Sequence, residues 1–201
     1  MRHHKPALVD PATLDAHQGE DPWDVVEAAH RTAAILVGRG RSSDDPEVTA
    51  RLVDLVPEVG LATLAQMWAD RPARSLPGAL WRLYLLDEWV QRAPVEVAHA
   101  YTAGAAHADV YRVIAGLTEP PRPTDLRELT QAILNGVFTG DLRVALERAA
   151  AFAHVTAIGL TDPEAGVDEV PPERVRRAGR MQEMARDLHV CAGMWERGDL
   201  V

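Results

Sequence analysis

Apolar residues recur along this chain at helical spacing. After Asp21-Pro22, a capping residue followed by a proline suited to a first turn, Trp23, Val26, His30, Ala33 and Val37 follow at intervals of three and four. They predict a helix that stops at Gly38 and Gly40. Asp44-Asp45-Pro46 opens a second, with Val48, Leu52, Leu55 and Val59 on one side and Pro57 and Gly60 limiting it. A short apolar stretch, 61–69, places Leu64, Met67 and Trp68 inward.

Ser75 caps the most apolar segment, 76–92, where Trp81, Tyr84, Leu85 and Trp89 cover one arc and Leu80, Leu83, Leu86 and Val90 much of the rest. A helix apolar nearly all round is a central one. Pro94 starts a further helix to about Gly116, with one stripe through Val97, Tyr101, Gly104, Ala108 and Tyr111 and a second through Ala103, Ala106, Val110, Val113 and Leu117. The run Glu119-Pro120-Pro121-Arg122-Pro123 reads as an extended link. Thr124 caps the next helix, which Asn135-Gly136 can end. Thr139 or Asp141 opens another, with Leu142, Leu146, Ala149 and Phe152 inward.

Residues 161–172 are acidic and hold three prolines. Beyond them Ala178, Met181, Ala185, Leu188, Ala192 and Trp195 form a heptad-like seam. The pattern therefore predicts an all-α fold: an irregular bundle of about seven or eight helices, followed by a C-terminal helix on a proline-rich linker. The expected divisions are an irregular N-terminal arm over 1–20, the bundle over 21–160, the linker over 161–172 and the amphipathic C-terminal helix over 173–201.

Composition narrows the function classes. The chain has 201 residues, 47% of them hydrophobic and only 5% aromatic, which fits close helix packing around small side chains. A net charge of −9 argues against nucleic acid as the main partner. Cys191 is the only cysteine, so no internal disulfide can form. No apolar run follows Met1-Arg2-His3-His4-Lys5-Pro6, and no stretch approaches the ~20 apolar residues of a membrane span. The expectation is a cytoplasmic protein with no membrane association.

Candidate chemistry is sparse. Glu-x-x-His occurs twice, at Glu27/His30 and Glu96/His99, and residues three apart share a helix face. Two such pairs, with Glu88 and Glu147 as further carboxylates, would compose the ligand set of a di-metal bundle. The single-glutamate helices of such bundles are not interleaved here in the usual order. His99 and His107 are about 12 Å apart along one helix and cannot share an ion. His154 and His189 have no partner at a suitable spacing. No nucleophile elbow, dinucleotide fingerprint or phosphate loop occurs, so no catalytic residue and no cofactor is expected. Arg174, Arg176, Arg177 and Arg180 form a basic cluster that could meet an acidic partner or nucleic acid, or neutralise the acidic linker.

Residues 73–92 (ARSLPGALWRLYLLDEWVQR) and 136–154 (GVFTGDLRVALERAAAFAH) resemble a family of small helical actinobacterial proteins without an assigned function. The resemblance spans roughly 1–160 and implies an intracellular helical protein, with no catalytic pattern to carry over. The expected function is a non-catalytic interaction or regulatory protein. It would bind a protein partner or a second copy through the C-terminal helix, using Met181, Leu188, Trp195, Arg174 and Arg177. The alternatives are a metal-dependent helical bundle using Glu27, His30, Glu96 and His99, and a nucleic-acid-associated protein using the Arg174–Arg180 cluster.

Overall fold

The computed structural model describes residues 22–42, 45–116, 121–162 and 170–201. The arm over 1–20 and most of the 161–172 linker lie outside the described residues. Among those described there are ten helices and no strand. They are α1 (Pro22–Ser42), α2 (Pro46–Val53), α3 (Leu55–Val59), α4 (Leu61–Trp68), α5 (Leu76–Arg92), α6 (Pro94–Ala105), α7 (Asp109–Ala115), α8 (Pro123–Thr139), α9 (Leu142–Leu160) and α10 (Pro172–Arg197).

Helix starts follow local chemistry. Asp45 accepts from Glu47 N at 2.9 Å, Asp141 from Arg143 N at 2.9 Å and Ser75 Oγ from Gly78 N at 3.2 Å. At α8 the cap is not Thr124. Asp125 reaches back to accept from Arg122 N at 2.8 Å, and its bonds to Arg122 hold its carboxyl below the usual range.

Helix ends follow packing more than composition. α1 continues through Gly38 and Gly40 to Ser42, whose Oγ donates to Gly38 O at 2.7 Å. A helical glycine costs only about 1 kcal/mol, which the rest of α1 outweighs. For the same reason α8 runs through Asn135-Gly136 to Thr139. The single helix expected over 94–116 is two. His107 N and Ala108 N donate to Gly104 O and Ala105 O, three residues back, and this tightening ends α6. Gly60, at φ +84°, separates α3 from α4, and Gly198, at φ +77°, closes α10.

α5 is buried on most sides, against α1, α4, α6, α8 and α10. α9 is buried further still, packed by α6, α7, α8 and α10. The hub of the fold is therefore shared between α5 and α9, not held by α5 alone. Alanines at 145, 149, 150, 151, 153 and 157 of α9 are buried and let four helices approach it.

The closest approach is the α6–α9 crossing. A Cβ on Gly159 would lie 1.7 Å from Ala100 O, and one on Gly104 would lie 1.9 Å from Val155 O. The stacked rings of Tyr101 and Phe152, 5.5 Å apart, sit on the same pair of helices.

α10 lies along α9. Ala178, Met181, Ala185, Leu188, Cys191 and Ala192 are buried, and five of these six join the main core. Arg74 and Arg82 both reach Asp187, at 3.1 and 3.9 Å, and Leu76 N donates to Val201 O at 2.9 Å. The helix that the sequence sets on a tether is thus packed into the body.

Inside the core, Tyr84 OH donates to Leu52 O, and Asp87 accepts from Thr130 Oγ1 at 2.5 Å, Gln91 Nε2 at 3.3 Å and Gln131 Nε2 at 3.5 Å. Burial raises the pKa of Asp87 despite these donors. On a pH rise from about 3.9, the unfolded carboxyl ionises before the folded one. Stability attributable to this group therefore falls with rising pH up to its folded pKa, then levels. Asp87→Asn keeps an acceptor for Thr130 and should remove that slope, read by urea unfolding as pH is raised from the ordinary carboxylate range. An unchanged slope would show that Asp87 is not its source.

Candidate functional site

The structure does not bring the two Glu-x-x-His pairs together. Glu27 pairs with Arg31, and His30 lines a cleft of about 500 Å³ with Val37, Trp195 and Leu200. Glu96 pairs with Arg177 across to α10, and His99 lines a separate cleft of about 880 Å³ between α6 and Pro121–Pro123. Glu88 pairs with Arg92, and Glu147 with Arg143 at 2.7 Å. No three His, Cys, Asp or Glu side chains gather as a metal-binding set among the described residues. Residues three apart do share a helix face, but α1 and α6 direct theirs into different clefts.

The arginine cluster is largely engaged within the fold. Arg174 Nη2 donates to Gly159 O and Asp162 O, both at 3.4 Å, where the C-terminal carbonyls of α9 favour a cation. Arg177 pairs with Glu96 and lies 5.9 Å from the Trp89 ring centre. Arg176 pairs with Glu173 at 3.5 Å. Met181 and Leu188 are buried on α9, and Trp195 is half-buried beside His30. Of the expected partner-binding set, none presents a free apolar face.

Cys191 is equally withdrawn. Its thiol lies 3.7 Å from Ala73 O, and burial, aided by Asp187, pushes its pKa up to about 11. Native protein should therefore react with iodoacetamide far more slowly than urea-unfolded protein, by mass spectrometry. Equal rates would contradict this burial.

The residues that do gather lie on α7, α9 and α10. A cleft of about 400 Å³ is lined by Tyr111 and Ile114 of α7, Ala150, Ala151 and His154 of α9, and Gln182, Arg186 and His189 of α10, with Val110, Glu147 and Ala185 completing it. The Tyr111 ring lies 4.0 Å from that of His154, tilted by 36°. Gln182 Nε2 lies 3.0 Å from His154 Nδ1. Burial holds the His154 pKa below its ordinary value, so the ring is neutral at pH 7. With Gln182 donating to Nδ1, that neutral ring carries its proton on Nε2. The pocket thus joins an apolar floor and an aromatic wall to a hydrogen-bond donor.

Sequence spacing missed this cleft because its polar members stand on different helices. Gln182 is the partner of His154, 28 residues away. The apolar residues of α7 at its lip are exposed. Val110 is 70% exposed and Val113 74%, with Tyr111 at 44% and Ile114 at 43%.

No helix among the described residues is long and apolar enough to cross a membrane. The chain matches no protein-family model, and no curated protein or solved structure shows significant similarity to it.

Proposed function

We propose that this is a non-catalytic interaction protein working through helix-mediated contacts with another chain, and that α7 is the contact helix. The observation that carries it is the exposure of Val110, Tyr111, Val113 and Ile114 on one short helix. Apolar residues exposed together mark contact surfaces, whereas isolated ones do not. The seam of α10, the other amphipathic candidate, is covered by α9.

A photo-crosslinking residue at position 113, in the full chain in living cells, tests this. The expected result is a discrete adduct that Val110→Asp abolishes and that a probe at Ile35, exposed on α1, does not give. The adduct's mass separates a second copy from a different protein. No discrete adduct at 113, or the same adduct from position 35, overturns the reading.

A further inference from the structure

We propose that the cleft between α7, α9 and α10 binds a small amphiphilic acid, a molecule with an aromatic or branched aliphatic body and a single carboxylate. This goes beyond the protein contact proposed for α7 and does not depend on it.

The body of the ligand is set by the floor and wall. Ala150 and Ala151 are buried methyl groups, Ile114 forms the lip, and Tyr111 offers a ring face. A volume of about 400 Å³ falls within the ~300–1,000 Å³ range of small-molecule sites.

The carboxylate is set by the polar groups. His154 Nε2–H is a donor with no protein acceptor among the described residues. Arg186, on the same cleft, makes no ion pair among the described residues. Arg180 likewise makes none, whereas Arg82, Arg122, Arg143 and Arg177 each hold a carboxylate and Arg174 a helix-terminal carbonyl. The one carboxylate of the cleft, Glu147, is held by Arg143 at 2.7 Å. The planar guanidinium fork of Arg186 matches a carboxylate in a two-point contact. His189, one turn after Arg186, adds a second nitrogen donor at the rim.

The test titrates the full chain with 4-phenylbutyrate and with the uncharged 4-phenylbutan-1-ol, by calorimetry at neutral pH. The expected result is one site for the acid and binding at least about tenfold weaker for the alcohol, the worth of one charged hydrogen bond. Arg186→Gln, an exposed substitution that leaves the core untouched, should reduce the acid to the alcohol's affinity. The His154 imidazole signals in NMR should shift as the acid binds. No binding of either probe, equal binding of both, an unaffected Arg186→Gln variant, or unmoved His154 signals would each overturn the proposal. These outcomes are independent of crosslinking at position 113.

Discussion

Gly159→Ala should leave little or no folded protein. The added methyl carbon would sit 1.7 Å from Ala100 O and 2.6 Å from Gly104 N. Both are backbone atoms, so no rotamer change relieves the clash. The helices must part, and parting them opens the Tyr101–Phe152 stack to water. Ordinary overpacking costs ~1–3 kcal/mol, and a clash with rigid backbone exceeds that, against a total stability of about 5–15 kcal/mol. Gly104→Ala should behave alike, with its methyl 1.9 Å from Val155 O. Gly38→Ala is the control: nothing lies within 4 Å of a Cβ there, and the change should stabilise by ~0.5–1 kcal/mol. Urea unfolding of the three variants reads the contrast. A Gly159→Ala protein as stable as Gly38→Ala would mean that α6 and α9 do not cross at these glycines.

Leu188→Ala should lower global stability by ~2–5 kcal/mol. Leu188 is fully buried in the common core, with Met181 and Ala185 beside it on α10. The experiment decides how α10 is held. If it is part of the body, circular dichroism and the fluorescence of core tryptophans will report one cooperative transition moved to lower urea, with an unchanged slope. If α10 were a tethered helix docked weakly, the variant would shed helical signal in a separate early step and leave the main transition where it was.

The capping residues and prolines were the most readable part of the chain. Ser75, Asp45 and Asp141 bind backbone N–H groups two or three residues ahead, so their effect is complete within one turn of sequence. The glycines were harder to read. Gly38 and Gly136 look alike as helix stops, yet both lie inside helices because tertiary packing and neighbouring turns outweigh a modest propensity cost. The role of Gly104 and Gly159 was invisible, since it depends on which two helices cross. The importance of α9 was understated for a related reason. Alanine adds little to a hydrophobic pattern, but buried along one helix it allows neighbours on several sides.

The candidate site was the least readable of all. Glu27/His30 and Glu96/His99 met a real helical rule, which governs neighbours on one face but not where two faces point. Gln182 and Arg186 share a face of α10, but no spacing rule brings Tyr111 and His154 to them, because that meeting is produced by the packing of α7 and α10 on α9.

The shortness of α7 carries a further consequence. It spans seven residues, packs principally on α9, and leaves four of its apolar side chains exposed. A helix of two turns has little stability of its own. Its amides should therefore exchange with deuterium through local opening, at a free energy well below that of α5 or α9. The cleft wall supplied by Tyr111 would open more readily than the walls supplied by α9 and α10. Whatever settles against it would slow exchange across 109–115 first, and that protection would report occupancy before any change in the core.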